Sequence, residues 1–146
     1  MKGVGVSFFI SFVLMANLQS TENKKISLEE IKTALQPVRE LCIKRVGVNP
    51  KMIDDAKNGN FVPDRKLQCY YKCLLLMIKV MKNDKIIEKA IHNIAQIMLN
   101  EDLLIPVEKA ITHCQPTMSK SIEGCELAYE TVKCFHDYDS SLVLFP

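Results

Sequence analysis

Six cysteines are the residues of this chain whose chemistry depends most on spacing and surroundings. They are Cys42, Cys69, Cys73, Cys114, Cys125 and Cys134. Cysteine thiolates can attack a substrate, bind zinc or pair as disulfides, and a Cys-x-x-x-Cys pair with a distant histidine could imitate a metal site. The compartment decides among these roles, because an even number of cysteines in an oxidising environment indicates a disulfide framework.

The first residues predict such an environment. Lys2 is followed by an uncharged apolar run from Val4 to Met15 and then by small residues up to Ser20. The run is shorter than the ~20 apolar residues that span a bilayer, and the order is that of a secretory signal peptide. We therefore expect residues 1–20 to be a cleaved signal peptide and residues 21–146 to be one secreted, extracellular domain without stable membrane insertion. Its cysteines should form three disulfides.

Composition and charge exclude several classes of function. Hydrophobic residues make up 48% and charged residues 25% of the chain, which is typical of a globular protein. The formal net charge of +2 is too small for a nucleic-acid-binding surface. The sequence contains no serine-hydrolase, zinc-protease or phosphate-loop motif, so we expect no enzyme, no bound metal and no cofactor.

The segments that must position the cysteines have helical patterns almost throughout. Ser27-x-x-Glu30 is a capping box, Gly47 is a helix stop, and Asn49-Pro50 begins a second helix. We predict an all-α fold of about six short helices, since no segment alternates like a strand. The four remaining helices are predicted from Pro63 to about Lys82, from Ile87 to Met98, from Pro106 to His113 and from about Lys120 to Phe135.

Helical geometry limits how the cysteines can pair. Cys69 and Cys73 share one face of the third helix and are poorly aimed at each other. Cys125 and Cys134 face opposite sides of the sixth helix. Without these two local pairs, about ten of the 15 possible connectivities remain, and spacing does not choose among them.

The cysteine intervals carry a resemblance to a known family. They read Cys42-x26-Cys69-x3-Cys73-x40-Cys114-x10-Cys125-x8-Cys134. Three local stretches accompany them: Asn60-Phe61-Val62-Pro63, Cys69-Tyr70-Tyr71-Lys72-Cys73 and Thr131-Val132-Lys133-Cys134-Phe135. The pattern resembles the insect odorant-binding and pheromone-binding proteins (PBP/GOBP family), and the stretches are similar to their fly alcohol- and pheromone-binding branch.

The resemblance implies bridges Cys42–Cys73, Cys69–Cys125 and Cys114–Cys134 around an apolar cavity. It also implies reversible binding of one small hydrophobic ligand (an odorant, pheromone or similar volatile), delivery through an aqueous fluid, and a sensory-neuron receptor as a further partner. A monomer and a weak homodimer both stay open. The expected cavity wall is Leu75, Leu76, Val80, Ile91, Ile94, Ala128, Val132, Phe135, Leu144 and Phe145.

One departure from that branch affects the expected ligand. The branch binds alcohols through hydroxyl side chains at the positions that Leu75 and Val80 occupy here. A tryptophan near its carboxyl end is replaced by Phe145. We therefore expect a more apolar ligand, or one that backbone groups anchor.

The C-terminal tail, residues 142–146, is entirely nonpolar. We expect it to fold back and wall the cavity, with the Pro146 carboxylate as a hydrogen-bond acceptor, although packing outside or in a dimer interface is the alternative. His136 precedes the tail and is a candidate pH-sensitive hinge. His92 is expected to be solvated, and His113 to lie near a helix end.

Two other classes of secreted helical protein compete with the carrier hypothesis. A saposin-like lipid-interacting protein would carry Cys pairs separated by two residues near its start, and these are missing here. A helical signalling or inhibitory protein is the other alternative. The run Cys134-Phe135-His136-Asp137 is faintly similar to that of secreted phospholipases, but its spacing differs and no glycine-rich calcium loop precedes it.

Overall fold

The computed structural model of the chain describes residues 25–143 and 145–146, so the predicted signal peptide and Leu144 lie outside the described residues. Its elements are α1 (Leu28–Val46), α2 (Pro50–Lys57), α3 (Arg65–Met77), β1 (Met81–Lys82), β2 (Lys85–Ile86), α4 (Glu88–Met98), α5 (Glu101–Met118), α6 (Gly124–Tyr138) and a 3-10 helix (Ser140–Leu142). The prediction of an all-α fold with six helices is confirmed for this part of the chain.

Local signals begin and end the first two helices as predicted. The Ser27 hydroxyl accepts a hydrogen bond from the Glu30 amide, and the Glu30 carboxylate accepts one from the Ser27 amide. Gly47 ends α1 with φ 74°, a left-handed conformation that glycine adopts without steric cost. The Asn49 side chain then caps α2 by accepting a hydrogen bond from the Lys51 amide.

The third helix is shorter than predicted, because a hairpin replaces its last part. The prediction of one helix from Pro63 to Lys82 was wrong: α3 begins after the Asp64 cap and ends at Met77. Asn83 and Asp84, with φ 52° and 57°, form a two-residue turn that pairs β1 with β2. Each strand has only two residues, which is too short for an alternating pattern to show in the sequence.

The fifth and sixth helices also differ from their predicted bounds. Pro106 was expected to begin a short helix, but α5 begins at Glu101 and continues past both Pro106 and Pro116. The Asn100 side chain caps it earlier, and burial of Val107, Ala110, Ile111 and Cys114 along one face favours the continuous helix over the local cost of proline. Helix α6 begins later than predicted, at Gly124, because Glu123 caps it.

Three disulfides connect the helices, and they match the pairing that the resemblance implied. Cys42–Cys73 joins α1 to α3, Cys69–Cys125 joins α3 to α6, and Cys114–Cys134 joins α5 to α6. No cysteine among the described residues is free. Helix α6 is therefore held between α3 and α5, as expected from the opposite faces of its two cysteines.

The buried residues form two hydrophobic clusters. One is centred on the contact of α3 with α6 and includes Leu67, Tyr70, Leu74 and Leu127. The other lies where α1, α4, α5 and the 3-10 helix meet, and it includes Ile31, Ala95, Ile111 and Leu142. Among the described helices, none combines the length and apolar character that crossing a membrane requires.

Candidate functional site

A small apolar cavity lies between α2, α3, α6 and the C-terminal tail. Its lining residues are Ile53, Ala56, Lys57, Phe61, Tyr70, Tyr71, Val132, His136, Val143, Phe145 and Pro146. Its volume is about 10 Å³, which is room for roughly one water molecule. The open chamber expected from the sequence is thus nearly filled at this place, and three residues of the tail help to fill it.

The tail folds back onto the helices, as one of the two sequence-based alternatives predicted. Leu142 is buried in the second cluster, and Val143, Phe145 and Pro146 line the cavity. Leu144, a predicted wall residue, lies outside the described residues. The tail therefore forms part of the wall of this cavity.

Arg39 of α1 holds the tail in place. Its Nη1 donates a hydrogen bond of 2.9 Å to the main-chain oxygen of Pro146, and its Nη2 lies 3.3 Å from Asp54 Oδ1. The Arg39 side chain is only 14% exposed, whereas that of Asp54 is 59% exposed. The guanidinium is planar, so the directions of its N–H groups fix where acceptors can bind. Its contacts with two oxygens are therefore directional.

Aromatic side chains form one wall of the cavity. Phe61 packs edge-on against Tyr129, with ring centroids 5.8 Å apart, and Tyr70 lies 5.4 Å from Tyr71. Burial raises the pKa of Tyr70 to about 12, and the positive charge of nearby Arg39 opposes part of that rise. Burial also raises the pKa of Tyr71 well above its usual range. Both tyrosines are therefore neutral hydrogen-bonding groups at physiological pH.

His136 and Lys57 supply the remaining polar groups of the lining. His136 Nε2 lies 3.1 Å from the main-chain oxygen of Lys57, and its ring packs edge-on against Phe61 with centroids 5.2 Å apart. Burial, followed by the charge of Arg39, lowers the pKa of Lys57. His136 thus connects α6 with α2 at the cavity.

The other two histidines differ from expectation. His92 was expected to be solvated, but its Nδ1 lies 2.5 Å from Glu108 Oε2, which connects α4 with α5. His113 lies inside α5, where its ring is 4.9 Å from that of Tyr138. Neither residue lines the cavity.

The predicted wall residues of the cavity lie in several different parts of the structure. Val132 and Phe145 line the cavity. Leu75, Val80 and Ala128 are buried in the first cluster, with Ile91 and Ile94 packed against it, and Phe135 packs against the second cluster. Leu76 is 43% exposed and is not among the lining residues.

Sequence reasoning missed the contribution of α2 and of the tyrosines. Ile53 and Ala56 lie three residues apart on one face of α2, a helical spacing that could have identified them as facing the interior. Tyr70 belongs to one of the stretches that carry the resemblance and to the apolar residues of the predicted third helix. No periodic signal distinguishes it, because α3 is apolar on most of its surface.

Comparison with known proteins agrees with this fold. The chain is 24% identical over 131 residues to general odorant-binding protein 69a of Drosophila melanogaster, which covers 88% of this chain and 84% of that protein. Apis mellifera odorant binding protein 5 superposes with a TM-score of 0.76 at 19% identity, covering 84% of this chain and 100% of that one. Odorant binding protein 7 of Anopheles gambiae, solved with four disulfide bridges and an azo compound, gives a TM-score of 0.65 at 22% identity, covering 78% and 89%.

The family model of the PBP/GOBP family matches residues 24–138, which include all six cysteines and all six helices described above. The match spans most of the chain, and the disulfide pairing and the structural neighbours point the same way. This chain belongs to the PBP/GOBP family.

Proposed function

We propose that this chain is a secreted carrier that reversibly binds one small hydrophobic ligand, an odorant, pheromone or similar volatile, and delivers it through an aqueous fluid. Membership of an odorant-binding family supports a small-ligand carrier role. The observation that carries the proposal is the apolar site between α2, α3 and α6 that residues of the chain's own tail close.

Ligand entry requires the tail to move. Pockets for small molecules have volumes of about 300–1,000 Å³, far above the 10 Å³ found here. Displacing Val143, Phe145 and Pro146 would open the site, because these residues form one side of its lining. Tail and ligand then compete for the same apolar surface.

The energetics of this exchange limit the affinity that burial of apolar surface alone can supply. Burying a ten-carbon chain contributes about 8 kcal/mol at about 0.8 kcal/mol per CH₂ group. Lost translational freedom offsets several kcal/mol of this gain, and exposing Phe145 costs about 2 kcal/mol more. The net gain is then only a few kcal/mol, short of the about 8 kcal/mol that a micromolar dissociation constant requires, so binding in that range needs polar contacts between the ligand and the site as well.

Displacement of an apolar fluorescent probe tests the proposal. The carrier function predicts saturation at one probe per chain and competition by ten-carbon volatiles. Ala56→Leu should weaken binding, because its larger side chain occupies the cavity, whereas Ala110→Leu makes the same change in the second cluster and should not. Thermal unfolding must show that both variants fold.

The saposin-like alternative makes a different prediction. Such a protein would release dye from lipid vesicles at low protein concentration. Vesicle leakage without probe saturation would therefore contradict the carrier function and support the lipid-interacting alternative.

A further inference from the structure

The Tyr70 hydroxyl is a polar group without an acceptor inside an apolar site. The Tyr70 side chain is fully buried, at 0% exposure, and it lines the cavity. No described residue accepts a hydrogen bond from its hydroxyl. Buried polar groups are nearly always paired, and an unpaired donor costs stability, so its position at a ligand cavity needs an explanation.

The cationic group beside this hydroxyl is a hydrogen-bond donor only. The Arg39 guanidinium is placed to donate to the Tyr70 oxygen, but it has no acceptor atom and cannot take the tyrosine proton. Within the described lining, the other polar side chains are those of Lys57, Tyr71 and His136, and none is a carboxylate or an amide. Asp54 is the carboxylate near Arg39, and it lies in contact with Nη2 on the exposed side.

We infer that the ligand carries a carbonyl-type oxygen, which Tyr70 and Arg39 bind as donors while the apolar remainder fills the space of the tail. This inference rests on the proposed carrier function. The shared chemistry is an oxygen that only accepts hydrogen bonds, as in an aldehyde, an ester or a carboxylate.

The tail already shows the arrangement that such a ligand would adopt. The main-chain oxygen of Pro146 accepts from Arg39 Nη1 at 2.9 Å, while the neighbouring Phe145 lies among the apolar lining residues. The tail thus presents an acceptor oxygen to the guanidinium and an apolar side chain to the cavity. An amphiphilic volatile has the same two parts, an acceptor oxygen and an apolar chain. A ligand that displaces the tail must replace this acceptor, because otherwise Arg39 loses a hydrogen bond.

Other head groups fit this set of donors less well. A hydrocarbon supplies no acceptor for the Tyr70 hydroxyl or for Arg39 Nη1, although Arg39 Nη2 keeps its contact with Asp54. An alcohol oxygen can accept from Tyr70, but the alcohol adds a hydroxyl proton to a place that already has excess donors. The order of affinity should therefore be carbonyl compound, then alcohol, then alkane of equal chain length.

A matched ligand series on the full chain tests the inference. Decanal, methyl decanoate, decanoate, decanol and decane compete with N-phenyl-1-naphthylamine on the wild type, Tyr70→Phe and Tyr129→Phe. We expect decanal to bind about tenfold more tightly than decane, since a net hydrogen bond of this kind is worth roughly a factor of ten. Tyr70→Phe should remove about fivefold to tenfold of decanal affinity and leave decane within about twofold. Tyr129→Phe, outside the lining, should change neither.

Each result has a distinct meaning. A decanal-to-decane ratio that is unchanged by Tyr70→Phe overturns the inference but leaves the carrier function intact. Failure of every compound to displace the probe contradicts the carrier function as well. Preference for decanoate over the aldehyde and ester would support the inference with a charged carboxylate as the acceptor, and the reverse order would support it with a neutral carbonyl.

Discussion

Arg39 and Pro146 connect α1 with the C-terminal tail, because the guanidinium donates a 2.9 Å hydrogen bond to the Pro146 main-chain oxygen across 107 residues of sequence. Pro146 is buried, and the Arg39 side chain is largely so. This contact holds the tail over the cavity, so the proposed carrier function requires that it break when a ligand enters.

Replacing Arg39 with methionine should make the site easier to open. Loss of a hydrogen bond from a charged donor weakens tail docking by about 1–2 kcal/mol, so a probe without a carbonyl group should bind roughly fivefold to thirtyfold more tightly. Fluorescence titration with N-phenyl-1-naphthylamine measures this change. Arg45→Met is the matched control, since Arg45 is exposed on the same helix. Equal affinities in the two variants would contradict a tail that competes with the ligand.

Removing the Tyr70 hydroxyl should stabilise the ligand-free protein. The Tyr70→Phe change deletes a buried donor that has no acceptor among the described residues, so the free energy of unfolding should rise by about 1 kcal/mol. Urea denaturation of wild type, Tyr70→Phe and Tyr129→Phe measures the difference. A loss of stability in Tyr70→Phe would show that the hydroxyl is paired in solution.

The three disulfides should contribute unequally to stability. In the chain-entropy account, the Cys69–Cys125 loop of 56 residues is worth about 4 kcal/mol, and the Cys114–Cys134 loop of 20 residues about 3 kcal/mol. Paired Cys→Ser variants of each bridge, compared by denaturant unfolding, measure the two contributions. A larger loss on removing the shorter loop would contradict this entropic ordering.

Acid should destabilise the fold partly through Glu123. The hydrogen bond from Arg65 lowers the pKa of Glu123 to about 2, below its unfolded value, so its stabilisation is present above about pH 4.5 and is lost as the pH falls toward 2. Both side chains are well exposed, which limits the ion pair to under about 1 kcal/mol. Glu123→Gln should flatten the pH dependence of the free energy of unfolding in this range. Glu40→Gln on α1 is the control, and an equal flattening there would contradict the assignment.

His136 is proposed to make ligand binding pH-sensitive. Protonation would place a positive charge at the apolar lining, beside Phe61 and Lys57, with Asp137 Oδ1 3.9 Å from Nδ1 as the nearby counter-charge. Probe affinity of the wild type should therefore fall on acidification, and His136→Asn should reduce that fall. Unchanged release on acidification in His136→Asn would remove this residue from the mechanism.

The helix boundaries and the disulfide pairing were predicted from different kinds of information. Caps such as Ser27 and Asn49 act within a few residues, so the sequence alone identifies them. The cysteine pairing needed the resemblance, because about ten connectivities satisfied the local geometry. The folding back of the tail was expected from its nonpolar residues, and Phe145 and Pro146 do lie at the cavity.

What the sequence could not provide depends on tertiary packing. The local sequence around Pro106 is typical of a helix start, but the buried face of α5 extends across this residue. The β1–β2 hairpin is too short to show a period. That no described residue accepts the Tyr70 proton emerges only when α1, α2, α3 and the tail are placed together, since no local sequence pattern indicates a missing acceptor.

A crystal structure of the secreted chain saturated with decanal tests the central claim most directly. The account predicts one ligand between α2, α3 and α6, in the place now taken by Phe145 and Pro146, with its oxygen near Tyr70 and Arg39. The complex must first be shown to bind decanal at one site in solution. If its crystals then show the tail still docked on Arg39 and the interior filled by side chains, the account is contradicted.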